Sequence, residues 1–410
     1  MAEADLEAGR RLMARLAAFA AFTDEPGRLT RLFLSDAHAK AARAFIGWCG
    51  EAGLEARIDA AGNVVARYEG KRAGAPALMI GSHIDTVRDA GRYDGNYGAL
   101  AALAVVEQLA ARGERLDHAI EIVAFGDEEG VRFKTTLTGS RALAGTYPEE
   151  ALDQRDADGV VMRDALKAFG GDPDRAASIR ARNVAAFVEA HIEQGPVLEA
   201  EGLPLGIVTA INGATRLEVG VAGVAGHAGT TPMNLRHDAL TAAAEMALAV
   251  EARARGEAGL VATVGRLDVK PGAANVIPGA VRFSIDIRSP DDAPRVKAAA
   301  DLSARIEAIA AARGVSASVS KSHEEGAYVC DPGVIAGLQK AVEAAGVPAR
   351  LLPSGAGHDT MVMGRLCPAG MLFVRCKGGI SHNPLESITV EDCAMGLKAL
   401  TRFARDFRAS

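Results

Sequence analysis

The feature that most restricts the fold is a change of rhythm near Gly213. Before it, apolar strand-like runs alternate with helical stretches. "NVVARYEG" (63–70) and "ALMIGSHID" (77–85) read as strands, "GALAALAVVEQLAARG" (98–113) as a helix stopped by Gly113, and "AIEIVAF" (119–125) as the next strand. Such alternation predicts an α/β unit: a mixed, mostly parallel sheet with helices on both faces. After Gly213 the order becomes β-α-β-β-α-β. It consists of "TRLEVGVAG" (215–223), a helix over roughly 236–255, strands at 260–269 and 280–289, a helix at 291–314, and "VSASVSKSH" (315–323). That order predicts an α+β open-faced sandwich of about 115 residues. The first pattern then returns with the helical "GVIAGLQKAVEAAG", the strand "GMLFVRC" (370–376) and a closing helix. One domain is therefore expected inside another: residues 1–212 and 328–410 form the outer unit, and 213–327 the insert. A chain of 410 residues is too long for one hydrophobic core, which agrees with two.

Composition narrows the function classes. The net charge of −6, with no run of Lys or Arg, argues against a nucleic-acid surface. No apolar stretch reaches the ~18 residues that span a bilayer. The N-terminus carries acids where a secretory leader wants basic residues, so the chain reads as cytoplasmic and without a membrane partner. Five scattered cysteines without a CxxC pair read as buried small hydrophobes. Neither GxGxxG after the first strand nor GxxxxGK[ST] is present, which disfavours a nucleotide enzyme.

The polar residues that packing does not explain sit in glycine-rich neighbourhoods. His83 and Asp85 form an HxD at a strand end, and Asp94 lies in "GRYDGNYG". Asp127, Glu128 and Glu129 end the strand 119–125. His191 sits in "EAHIEQGPVLE", His227 in "AGHAGTTPM", His358 and Asp359 in "SGAGHDT", and His382 in "GGISHNPLE". In parallel sheets ligands collect at the carboxyl ends of strands, so "GSHID" and "GDEEG" can face one crevice. Nitrogen and carboxylate donors without thiolate suit zinc, manganese or cobalt, and a carboxylate can bridge two ions. A further carboxylate would be a general base. Each residue alone has an ordinary reading. His83 could be a satisfied strand-end histidine, Asp94 a cap or turn residue, Asp127 a turn acid and Asp359 a helix cap. Arg288 could be a sheet-edge ion pair and Asn275 a turn residue. His38, His118, His237 and His323, in charged contexts, read as surface residues. Arg132 is a local counter-charge without an assigned role.

Taken together, "GSHIDTVRDAGRYDG", "GDEEGVRF", "HIEQGPVLE", "GHAGTTPM", "NVIPG", "SGAGHD" and "GGISHNPLE" resemble, in order, the motifs of allantoate amidohydrolases and N-carbamoyl-L-amino acid hydrolases. These belong to the dinuclear-metal aminoacylase and carboxypeptidase superfamily. The resemblance covers about residues 30–405. It implies two divalent metal ions per subunit, zinc or manganese, with cobalt and nickel also compatible. His83 and His191 would hold one ion, Glu129 and His382 the other, and Asp94 would bridge them. Glu128 would be the general base and Asp85 the acid that orients His83. A cis Asp94–Gly95 peptide is a further expectation. The insert would form a homodimer in which His227 and Asn275 complete the partner's site, His227 stabilising the oxyanion. Arg288 would pair with a substrate carboxylate. Gln194, Gly357 and His358 would touch the ureido group or the substrate backbone. The implied reaction cleaves a ureido C–N bond of a small ureido carboxylate, with allantoate first and N-carbamoyl-L-amino acids, β-ureido acids and ureidoglycolate behind it. The different-class alternative is a non-catalytic metal-binding scaffold, which loss of a ligand or of Glu128 would have favoured.

Overall fold

The computed structural model describes residues 2–409. The chain forms two compact units, one of residues up to Thr209 with 330–352 and 356 onward, the other of residues 210–329 and 353–355. The described strands, in chain order, are β1 (Glu55–Ile58), β2 (Val64–Tyr68), β3 (Ala77–His83), β4 (Ala119–Phe125), β5 (Val184–Ile192), β6 (Leu205–Ile211), β7 (Gly213–Ala222), β8 (Gly226–His227), β9 (Val261–Lys270), β10 (Val276–Ile277), β11 (Ala280–Ser289), β12 (Ser316–Glu325), β13 (Tyr328–Val329), β14 (Leu351–Ser354) and β15 (Ala369–Val374).

In the first unit the sheet order runs β1-β2-β4-β3-β5-β15-β6. The central strands β4, β3, β5 and β15 are parallel, and the margins are antiparallel. Helix Asn96–Ala111 packs on β3, β4 and β5, while Pro332–Ala344 and Val390–Asp406 pack on β15. Helix Asn96–Ala111 is apolar nearly all round, as a helix buried on most sides must be. Its Leu100, Leu103, Val105, Val106 and Leu109 are fully buried, each stabilising the fold by about 1.5–3 kcal/mol. Gly98 permits the approach, because a Cβ there would lie 2.0 Å from the Ala190 carbonyl oxygen of β5. β5 itself escapes a pattern search: its apolar run is broken by Glu189, which is fully buried. Ser82 Oγ (2.7 Å), Thr360 N (3.1 Å) and Thr360 Oγ1 (2.7 Å) all donate to that carboxylate, which meets the requirement that a buried charge be hydrogen-bonded.

The second unit carries a four-stranded antiparallel sheet, β12-β7-β11-β9. Helices Ala239–Arg255 and Asp292–Ala312 cover one face, and the chain order is β-α-β-β-α-β. Leu217, Val219 and Val221 of β7 and Phe283, Ile285 and Ile287 of β11 alternate into its core. Asp238 and Asp291 cap the two helices, their carboxylates accepting from backbone N–H groups.

Two histidines read as surface residues are buried. His118 is 3% exposed, its ring edge-on to Phe407 at 5.1 Å. His38 is fully buried between Phe33 and Phe169, because the first turn of helix Asp36–Glu51 docks onto these rings rather than facing water. The Leu34 N–H donates to His38 Nδ1 at 2.9 Å, and Nε2 has no partner. Burial, with nearby Arg31 and Arg132, pushes its pKa down to about 3 from an ordinary 6.5. The unfolded chain therefore binds the extra proton first. Stability from this group is complete above pH 6.5 and falls as pH drops from there toward 3, by up to about 1.4 kcal/mol per pH unit. His38→Asn keeps an acceptor for Leu34 N–H but cannot charge. Urea unfolding at pH 7, 6, 5 and 4 should show a shallower acid slope in that variant, by about that amount per unit.

Candidate metal centre

β3 sits between its two later neighbours, β4 on one side and β5 on the other, so the sheet reverses direction of growth there. Such a switch point opens a crevice at the carboxyl ends of the strands. His83 ends β3, Glu128 and Glu129 follow β4, and His191 lies near the end of β5. The loop before helix Asn96–Ala111 brings Asp94, and the loop after β15 brings His382.

The rings are aimed from behind. His83 Nδ1 donates to the Asp85 carbonyl at 3.0 Å and His191 Nδ1 to the Ile192 carbonyl at 2.9 Å. A carbonyl only accepts, so the lone pair of each neutral ring is on Nε2. Both Nε2 atoms face Asp94 Oδ1, at 3.5 Å from His83 and 3.1 Å from His191. His382 Nε2 lies 3.4 Å from Asp94 Oδ2 and 3.5 Å from Glu129 Oε2. Two triads result, His83–Asp94–His191 and Asp94–Glu129–His382, each with ligand atoms within 4.8 Å of one another and with Asp94 common to both. Glu129 Oε1 is buried without a hydrogen-bond partner. Two triads of imidazole and carboxylate sharing one acid, plus an orphaned carboxylate oxygen, fit divalent cations of the zinc and manganese kind.

The electrostatics agree. Burial raises Asp94, but the facing imidazoles of His191, His382 and His83 outweigh it and hold the carboxyl well below its ordinary value. Burial, reinforced by Asp94, pushes Glu129 up to about 7, and the Asp94 hydrogen bond lifts His382 to about 9. Burial, reinforced by Glu129 and other acids, carries Glu128 well above the ordinary carboxyl range. So many acids at one place call for positive charge.

The "GDEEG" turn separates its three acids by backbone. Asp127 is fully buried at φ +65° and accepts from Thr135 Oγ1 (2.9 Å) and Thr138 Oγ1 (2.7 Å), so it anchors the turn. The Glu128 and Glu129 N–H groups donate to Asp85 Oδ1 (3.1 Å) and Oδ2 (3.2 Å). This corrects the expectation for Asp85: its carboxylate is 3.8 Å from His83 Nδ1, beyond hydrogen-bond reach. Its carbonyl orients the ring, and its carboxylate fixes the loop of the two glutamates. Glu128 Oε2 is 3.9 Å from His83 Nε2, and its side chain keeps 11% of its surface open, enough to meet water. Arg132 ties the next segment down through Asp156 (2.9 Å) and the Phe33 carbonyl (3.0 Å).

Other expectations change in detail. The Asp94–Gly95 peptide is trans, since among the described residues only Lys270–Pro271 is cis. In this form the Gly95 N–H donates to His191 Nε2 at 3.1 Å, holding the lone pair that a cation would take. Gln194, at φ +57°, donates to Asp94 Oδ2 at 2.7 Å, so it touches the central acid itself. His358 is 1% exposed and stands edge-on to His191 at 4.6 Å. It supports that ring from behind instead of lining open space, whereas Gly357 is exposed. Asp359 is the first residue of helix Asp359–Met363, not its cap, and both its buried carboxylate oxygens lack a hydrogen bond. Sequence reading missed Glu386 and Ser381. Glu386 accepts from Tyr93 N (2.7 Å) and Asp94 N (3.1 Å), and Ser381 Oγ donates to Asp94 and to Glu386. Together they lock the Asp94 loop to the His382 loop. The signal available was the E two residues after H-N-P in "SHNPLE", which packing leaves 4% exposed.

Within the second unit, His227 and Asn275 stand side by side on the β8–β10 ribbon: His227 pairs with Val276, and Ala228 N donates to the Asn275 carbonyl at 2.9 Å. Both side chains are exposed. Arg288 makes a two-point ion pair with Asp286 (2.8 and 3.1 Å) and donates to the Gly355 carbonyl. The plain reading of Arg288 as a sheet ion pair describes its present contacts.

Fold and site together define a metal-dependent hydrolase of the α/β kind. A family model described as Peptidase family M20/M25/M40 matches residues 79–406. The N-carbamoyl-L-amino acid amidohydrolase of Geobacillus stearothermophilus is 42% identical over 395 residues, covering 96% of this chain and 97% of that one. A probable allantoate deiminase of Oryza sativa subsp. japonica is 42% identical over 424 residues, 95% of this chain and 86% of its own. A crystal structure of an amidase of the hydantoinase/carbamoylase family from Burkholderia multivorans superposes with a TM-score of 0.93 at 36% identity, over 97% of both chains. The chain belongs to the M20/M25/M40 family, and it is a metal-dependent amidohydrolase.

Proposed function

We propose that the protein is an allantoate amidohydrolase of the cytoplasm, hydrolysing allantoate with water to ureidoglycine, carbon dioxide and ammonia. The observation that carries the chemistry is the convergence of His83, His191, His382 and Glu129 on Asp94 with Glu128 alongside. The named allantoate deiminase relative supports the substrate. His83 and His191 would hold one divalent ion and Glu129 and His382 a second, with Asp94 common to both sets. A zinc or manganese ion bound there would supply Lewis acidity and a more acidic water near neutral pH.

Glu128 takes the proton of the attacking water and returns it to the leaving nitrogen. Asp85 fixes Glu128 through its N–H, and Gln194 sets one oxygen of Asp94. In a homodimer built by the inserted domain, His227 and Asn275 reach the partner's site, where His227 hydrogen-bonds the developing oxyanion. Arg288 exchanges Asp286 for the substrate carboxylate, for which its planar fork is suited. A second reading, hydrolysis of N-carbamoyl-L-amino acids or of a β-ureido acid, is favoured by the Geobacillus relative.

The test is ammonia release from allantoate, N-carbamoyl-L-amino acids, β-ureidopropionate and ureidoglycolate by protein reloaded with manganese or zinc. Allantoate should give the highest kcat/KM. A higher value for a carbamoyl amino acid replaces the first reading with the second. Ammonia from none of them, with metal bound, overturns both readings.

A further inference from the structure

Away from the metal centre, the first unit holds a cavity of about 550 Å³ that none of the cluster residues lines. Its floor is one face of the sheet. Arg67 of β2, Glu121 of β4 and Met79 of β3 are register partners in one row across it. Glu121 lies four residues before the end of β4, about 14 Å from the strand end that leads into the "GDEEG" turn. The segment 170–182 forms the rim.

The lining is basic in a chain that is acidic overall. Five arginines stand against three acids. Two of the acids are already engaged: Arg67 Nη1 pairs with Glu121 at 2.7 Å, and Asp59 accepts from Asn63 Nδ2 and from the Ala61 and Asn63 N–H groups. The third, Asp172, accepts only from the Asp174 N–H. The remaining four arginines, Arg57, Arg175, Arg180 and Arg182, make no side-chain hydrogen bond and no ion pair among the described residues. Against the many arginines here that pair with a carboxylate, four exposed guanidinium groups around one cavity, held by no protein acceptor among the described residues, are a concentration of donors open to a ligand. Beneath them lie apolar atoms of Val65, Met79, Ile58 and Ile179.

We propose that this cavity binds a small organic phosphate with a planar body, of the nucleoside diphosphate kind. Arginine forks match phosphate oxygens two at a time, and guanidinium planes stack on flat rings. The apolar atoms of Val65, Met79, Ile58 and Ile179, beside the Arg67–Glu121 pair, take the body, and the volume falls in the range of small-molecule sites, roughly 300–1,000 Å³. A bare inorganic anion would use only the rim.

Calorimetric titration of the metal-loaded protein with ADP at 150 mM salt tests this, with pyrophosphate and adenosine as separate probes and the Arg175→Ala/Arg182→Ala double variant as partner. Both arginines are exposed, and thermal melting and ammonia release verify that the variant is folded and active. ADP should bind saturably, one per chain, and at least tenfold more weakly to the double variant. Pyrophosphate and adenosine alone should each bind at least tenfold more weakly than ADP. No saturable ADP binding overturns the proposal. So does ADP binding that the double variant leaves unchanged, as attachment of the phosphates at the metal centre would. Pyrophosphate as tight as ADP overturns the planar body and with it the assigned ligand class.

Discussion

Glu128→Gln should retain its metals and lose turnover by about 10²–10⁴-fold, the usual worth of a positioned general base. Glutamine has the same shape and keeps the backbone N–H that Asp85 holds at 3.1 Å, so the loop has no reason to move. What disappears is the capacity to take a proton. Glu128 is nonetheless close enough to His83 and Glu129 to form a triad of possible metal ligands with them. The two roles separate cleanly. Ammonia release from the preferred substrate and metal content by mass spectrometry should be measured on the same preparation. Activity lost with metal retained fits a base. Activity and one equivalent of metal lost together make Glu128 a ligand, and unchanged activity removes it from the chemistry.

How much of this was legible in the sequence depends on what each residue answers to. The inserted β-α-β-β-α-β order was readable because its strands β7 and β11 bury one face, and a half-buried strand alternates. β5 was not, because a strand buried on both sides has no alternation to find, and Glu189 breaks even its apolar run. The residues of the cluster were readable as types in glycine-rich turns. Their division of labour was not. Whether Asp85 uses its carbonyl or its carboxylate on His83 depends on how the loop turns, and the structure gives the carbonyl to the ring and the carboxylate to the next loop. Glu386 was visible only as an acid two residues after H-N-P, with nothing to say what it binds. Its task is to accept two N–H groups 292 and 293 residues away along the chain, which only the fold brings within reach. His38 failed for the opposite reason: charged neighbours in sequence say nothing about Phe33 and Phe169, which close over it in space.

Gly95→Ala should give a folded protein that binds metal about 10–100-fold more weakly, the usual loss when the support of a ligand is disturbed. Gly95 sits at φ +64°, the left-handed region, immediately after Asp94. With ψ at −51° as well, an L side chain there costs about 1–3 kcal/mol by itself. A Cβ at this position would also lie 2.4 Å from His83 Nε2, the atom that faces Asp94. Something must shift, and the ring's hydrogen bond from behind is the one to the Asp85 carbonyl. Displacing it breaks the His83–Asp94–His191 triad while Asp94–Glu129–His382 keeps all its members. Equilibrium dialysis should therefore show one weakened equivalent, not two. Gly98→Ala, three residues on, is the control for a packing effect. Its Cβ would meet the Ala190 carbonyl oxygen at 2.0 Å and Ser82 Cβ at 2.7 Å, so it should lower the melting temperature sharply. If Gly95→Ala binds two metals with wild-type affinity, His83 Nε2 is not a ligand, and the centre has to be rebuilt around His191, His382 and the acids.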